Sequence, residues 1–120
     1  GSGLRAMGFD QEGAGLTFLE DARTAPLYRL YCLEERWAAL VPSGERGVSV
    51  MGELVEVSNE RWLEIVATEP PGIIPGPIEL DDGRVVTAAL GDPKQMARNA
   101  VEITEFGGFA AYLESGADAD

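Results

Sequence analysis

One stretch in the middle of the chain, residues 67–80, limits the fold more than any other. From Glu69 to Leu80 it holds four prolines and two glycines. Proline lacks a backbone N–H and fixes φ, so a helix cannot continue through Pro70 and Pro71. The stretch is therefore predicted to leave a helix end near Glu69 and then to run extended.

Glu69 is a carboxylate set among prolines and apolar side chains at the start of this stretch. Partial desolvation would raise its pKa toward neutrality, where a carboxyl group can both give and take protons. Glu69 is therefore the candidate catalytic residue. The alternative is a solvated glutamate that merely follows a helix, and local chemistry alone favours that alternative.

Short runs rich in aliphatic and aromatic residues lie on both sides of this stretch. They predict strands within Leu16–Leu19, Leu27–Leu33, Trp37–Val41 and Val48–Val57. After the stretch, Ile78 to Leu90 reads as a hairpin that turns at Asp82-Gly83. Residues 1–15 hold five glycines and are predicted to form a loop.

Helices are predicted at three places. Ser58 is an N-cap candidate for a helix over residues 59–67, with Trp62, Leu63 and Val66 on its buried side. One or two helical turns are expected before Asn99, and a short helix within residues 104–115. Five or six strands with short helices predict an α+β fold. Residues 1–120 are expected to be one domain, with a frayed acidic tail at 116–120.

Charge and composition exclude several function classes. Asp and Glu number 21 against nine Lys and Arg, a net charge of −12, which disfavours nucleic acid and anionic membranes as partners. Histidine is absent and Cys32 is the only cysteine, so a metal site, a serine–histidine triad and a disulfide are not expected. Cys32 is predicted to be a core residue, as are Trp37 and Trp62. No cofactor is expected, and the location is predicted to be cytoplasmic.

Five blocks, in this order, resemble the γ-glutamyl cyclotransferase-like superfamily. The similarity is strongest to the C-terminal domain of allophanate hydrolases and its stand-alone relatives, and it covers nearly the whole chain. The first and last blocks are the most specific. The blocks are Ala22–Tyr31, Val50–Leu54, Glu69–Pro71, Ile78–Gly83 and Ile103–Leu113.

The resemblance implies a small, mixed and strongly curved β-barrel with short peripheral helices. It also implies that backbone N–H groups of an N-terminal loop, here Gly1, Ser2, Gly3 and Leu4, bind the carboxylate of a substrate. Glu69 would act as the general acid or base from the far side of the cavity. The implied ligand is a small metabolite bearing an amine or a carboxylate.

The chain also departs from the family pattern. The usual first strand is not found before Gly1, so a strand is missing or another chain completes the barrel, which would favour a homodimer. Gly1-Ser2-Gly3 is either native or a vector-derived tag. The family's histidine-dependent decarboxylation is not transferred, because histidine is absent. Two functions remain open: a cyclotransferase- or lyase-like enzyme using Glu69, and a non-catalytic ligand-binding or assembly domain that accompanies an amidase.

Overall fold

The computed structural model describes residues 3–9 and 15–116. Within these ranges the chain forms a mixed sheet of eight strands with three α-helices. The strands are β1 (Gly3–Gly8), β2 (Leu16–Arg23), β3 (Tyr28–Leu33), β4 (Trp37–Pro42), β5 (Met51–Ser58), β6 (Ile73–Glu79), β7 (Val85–Gly91) and β8 (Val101–Glu102). The helices are α1 (Asn59–Thr68), α2 (Pro93–Asn99) and α3 (Phe109–Ser115).

The sheet is open, which corrects the expected β-barrel. Neighbouring strands follow the order β2-β5-β1-β7-β4-β3-β8, and β6 pairs with β7 outside this path. In the described part of the chain β2 and β8 end the order without pairing with each other. β8 has only two residues, too few to form a closing ladder. The predicted α+β class is confirmed.

β7 is the strand on which the sheet divides. One of its edges pairs with β6 along the whole length of both strands. A strand has two edges, so β1 and β4 share the other one, and both run parallel to β7. β1 meets it at the pair Ala6 and Thr87, and β4 meets it three residues further on, at the pair Leu40 and Leu90. The two strands must therefore separate, and a cleft opens between them.

Most predicted elements are present, and three predictions need correction. The four predicted strands, the hairpin, the extended run after Pro71 and the N-cap at Ser58 are confirmed. The predicted N-terminal loop is wrong for residues 3–8, which form β1 and pair with β5 along its length. Leu63 is 69% exposed, and Trp62 with Ile65 makes the packed face of α1 instead. The count of five or six strands was too low.

The main core lies between the sheet and α3. Leu30, Leu40 and Val50 are fully buried there, and Cys32 is buried beside them, as predicted. A smaller cluster, built on Val55 and other residues of β1 and β5, lies under α1. These two clusters pack α1 and α3 against the sheet on either side of the cleft beside β7. Among the residues described, no helix has the length and apolar character needed to cross a bilayer.

Candidate active site

The cleft beside β7 is the candidate active site. Its cavity measures about 420 Å³, within the range of small-molecule sites. β7 contributes Ala88 and Ala89 to its lining. β1 and β4 form the two sides, and α1 and α3 cover it. The division of the sheet at β7 thus produces the cavity directly.

Glu69 lines this cleft from the C-terminal end of α1. Its backbone is extended, with φ −71° and ψ 138°, as expected for a residue that precedes a proline. Its N–H still donates to the carbonyl of Val66 at 3.3 Å, so the residue remains tied to the helix. The Pro70-Pro71 pair therefore places the carboxyl group: it ends the helix where the helix meets the cleft.

The turn after Glu69 is tied to α2. The Ile73 N–H donates to the Pro70 carbonyl at 3.2 Å, and Gly72 has φ +93°, which suits the third position of a type II turn. The Gly72 carbonyl accepts from the N–H of Asp92, the N-cap of α2, at 2.8 Å. The bond to Val66 fixes the backbone before Glu69, and these two bonds fix the turn after it. The position of Glu69 therefore does not depend on the helix end alone.

The carboxyl group of Glu69 is poorly solvated. The residue as a whole is half-buried, but its Oε2 atom is shielded from solvent and has no hydrogen-bond partner among the described residues. Burial raises the pKa of Glu69 from 4.5 to about 7. The partial negative charge at the C-terminal end of α1 acts in the same direction. At neutral pH the group is poised between its acid and base forms.

Positive charge also lines the cleft, although the protein is acidic. Arg36 and Arg61 both contribute to the wall. The guanidinium carbon of Arg36 lies 4.7 Å from the ring centre of Trp37, a cation–π contact.

Trp37 and Trp62 are half-buried cleft residues, so the prediction that both are core residues is only partly right. In residues 3–9 and 15–116, no group of His, Cys, Asp and Glu side chains could hold a metal ion.

The predicted carboxylate-binding residues do not meet Glu69 in the described part of the chain. Gly1 and Ser2 lie outside the described residues. Gly3 and Leu4 are the first residues of β1, and neither lines the cleft. The end of the same strand does, through Met7 and its neighbours. A binding role for residues 1–4 stays a prediction.

The raised pKa of Glu69 makes folding stability depend on pH. The folded state holds the proton up to about pH 7 and the unfolded chain only up to about 4.5. The stability contributed by this proton is therefore fully present below pH 4.5 and is lost as pH rises through 7. Above pH 7 the folded protein bears the cost of a charged, partly buried carboxylate, and Glu69→Gln removes that cost. We expect it to stabilise the protein at pH 8 by about 1 kcal/mol, a value reduced for partial solvent screening, and to change little near pH 4.5.

Denaturant titrations of both proteins at the two pH values measure this difference. Glu64→Gln is the matched control, because it removes the same charge from an exposed position on the same helix. An equal gain at pH 8 in both variants would mean that reduced net charge is the cause. A Glu69→Gln variant no more stable than the wild type at pH 8 would contradict the desolvated carboxyl group.

Comparison with known proteins identifies the family. The model of the allophanate hydrolase C-terminal domain matches residues 2–114. Urea amidolyases of Lachancea kluyveri and Saccharomyces cerevisiae are each 27% identical to this chain over an alignment of 109 residues that covers 86% of the chain. The chain spans about 6% of the length of these relatives.

Solved structures share the fold. The uropathogenic E. coli-specific protein c4763 superposes with a TM-score of 0.78 at 26% identity, covering 94% of this chain and 95% of that one. Kluyveromyces lactis allophanate hydrolase gives the same TM-score at 25% identity, covering 96% of this chain and 21% of the enzyme. The urea amidolyase of that yeast gives 0.77 at 25% identity, with 96% and 8% covered. The chain therefore belongs to the allophanate hydrolase C-terminal domain family.

Proposed function

We propose that the chain is an acid–base catalyst that acts on a small metabolite bearing an amine or amide nitrogen and a carboxylate. Glu69 transfers the proton to or from that nitrogen, in a reaction of the cyclotransferase or lyase type. The names of the relatives, allophanate hydrolase and urea amidolyase, favour a urea-derived compound.

One observation carries this proposal: the Oε2 atom of Glu69 is shielded and without a hydrogen-bond partner among the described residues, in the wall of the cleft. An unpaired buried carboxyl oxygen costs free energy, so a folded protein rarely keeps one without a use. Its pKa of about 7 suits proton transfer at neutral pH. The cavity of about 420 Å³ has room for a ligand of the proposed size.

A second function has its own support. The matched segment forms about 6% of the urea amidolyases, so in these relatives the domain belongs to a much larger protein. A non-catalytic domain that binds a ligand beside an amidase would fit that setting. Glu69 would then form a hydrogen bond with the ligand without converting it.

Incubation with a compound panel distinguishes the two functions. The panel contains γ-glutamyl amines, carboxylated amines and carboxylated ureas, with products followed by NMR. We expect at least one compound to be converted and to shift the Trp37 indole N–H signal, because Trp37 lines the cleft. Binding at Trp37 without conversion of any compound would support the non-catalytic function. Conversion without a shift at Trp37 would place the chemistry outside the cleft.

A further inference from the structure

Arg36 stands at the cleft on the tight turn between β3 and β4. This turn joins the paired residues Leu33 and Trp37, and the Arg36 N–H donates to the Leu33 carbonyl at 3.1 Å. Among the described residues the Arg36 guanidinium forms no ion pair, and it lies over the ring of Trp37. The guanidinium carbon lies 4.7 Å from the ring centre of Trp37, and a guanidinium that contacts a ring face through its π system can still donate N–H bonds from its edge.

The backbone of this turn is costly. Glu34 and Glu35 have φ values of +52° and +59°, and no other described residue except glycine has a positive φ. Such a pair of left-handed positions normally takes Asn-Gly, since most residues other than glycine, asparagine and aspartate are disfavoured there. Two neighbouring glutamates also repel each other. Strain of this kind persists where the surrounding structure imposes it, and it is concentrated at ligand-binding positions.

Charge around the cleft favours a ligand with one negative charge. Arg36 and Arg61 line it together with Glu35 and Glu69. A doubly charged phosphate would meet both carboxylates, whereas a single carboxylate needs only one guanidinium fork. A planar guanidinium matches the geometry of a carboxylate with two parallel hydrogen bonds.

From this geometry we infer that Arg36, placed over the ring of Trp37 at the end of the left-handed turn of Glu34 and Glu35, is the residue that recognises the ligand's carboxylate. This rests on the proposed function, because it assigns the other end of the same ligand. Arg36 is thus a specificity-determining residue, and Glu69 acts on the nitrogen. Arg36 thus supplies a side-chain anion site on the β4 side of the cleft.

Binding of malonamate and malonamide tests this inference. The two probes share one skeleton and differ in whether the terminal group is a charged carboxylate or a neutral amide. Dissociation constants come from NMR titrations that follow the Trp37 indole N–H. We expect the wild type to bind malonamate more tightly, and Arg36→Gln to weaken malonamate binding roughly tenfold while leaving malonamide unchanged. Arg36→Lys should fall between them, because it keeps the charge but loses the fork.

The control is Arg98→Gln, which removes the same charge from an exposed position on α2. Equal weakening of malonamate by Arg36→Gln and Arg98→Gln would overturn the inference in favour of overall charge. Equal weakening of both probes by Arg36→Gln would mean that Arg36 only shapes the cleft. A wild type that does not prefer malonamate, or that binds inorganic phosphate more tightly, would also overturn it.

The same titrations in Glu69→Gln separate this inference from the proposed function. Preference for malonamate should persist in Glu69→Gln, because recognition of the carboxylate does not use the Glu69 proton. Loss of catalysis with this preference retained contradicts neither proposal. A wild type that prefers malonamate but converts no compound would support carboxylate recognition and remove the catalytic function.

Discussion

Glu69→Gln is expected to lower the turnover number by 10²- to 10⁴-fold on any compound that the wild type converts. The loss is the usual contribution of one positioned general acid or base. Glutamine keeps the size and the polar head of the side chain, so the cleft should retain its shape. It cannot exchange a proton, and it also removes a negative charge, which the Glu64→Gln variant controls for. Initial rates at saturating substrate measure the effect.

The pH profile makes this prediction more specific. A base at position 69 gives rates that rise through pH 7, and an acid gives rates that fall through it, because the pKa of Glu69 is about 7. Either bend should be absent from the residual rate of Glu69→Gln. Glu64→Gln, on the exposed side of the same helix, should retain the wild-type rate and profile. A Glu69→Gln rate within a few-fold of the wild type would exclude proton transfer by this residue.

Among glycine-to-alanine substitutions in the sheet region, Gly47→Ala is expected to lower the free energy of unfolding the most, by about 3 kcal/mol or more. A Cβ at Gly47 would lie 2.1 Å from the Leu27 carbonyl carbon and 2.4 Å from the Tyr28 nitrogen. These are backbone atoms and cannot rotate away. The Tyr28 carbonyl accepts from the Val48 N–H at 2.8 Å, and the Tyr28 hydroxyl accepts from the Glu79 N–H at 2.9 Å. Separating the two segments would strain both bonds.

Gly44→Ala provides the comparison for this loss, because Gly44 begins the short 3₁₀ turn Gly44–Arg46 and Gly47 directly follows that turn. A Cβ at Gly44 meets nothing within 4 Å, but the residue has φ +54°. It should therefore cost only about 1 kcal/mol, from its left-handed backbone. Denaturant midpoints rank the two variants. Equal midpoints would show that the close approach at Gly47 relaxes easily and that the backbone contact does not restrict the fold.

Local sequence signals predicted most of the elements of the fold. Pro70 and Pro71 end α1 at the expected place, and the Ser58 side chain accepts from the Arg61 N–H as an N-cap should. β1 was missed because glycines on both sides hid a strand that is stabilised by pairing with β5. The parallel contacts of β1 and β4 with β7 are non-local, and no local pattern encodes them. The left-handed Glu34 and Glu35 likewise lack the glycine or asparagine that would have marked their turn.

The site was only half predictable for the same reason. Glu69 could be found because the prolines beside it and the apolar residues around it imply desolvation wherever the chain folds. Arg36 could not be found, because its position at the cleft depends on the non-local pairing of β4 with β7. The prediction that Trp37 is a core residue rests on the usual burial of a tryptophan in a strand. Its half-exposed position follows from the separation of β1 and β4, which sequence alone does not show.

Titration of the Glu69 side-chain carboxyl carbon by NMR, assigned by comparison with Glu69→Gln, tests the desolvated acid most directly. The signal should move with a midpoint at about pH 7, well above the ordinary 4.5. A midpoint near 4.5 would mean that water reaches both oxygens of the carboxyl group. Glu69 would then be a solvated residue at a helix end, and the acid–base function would be contradicted.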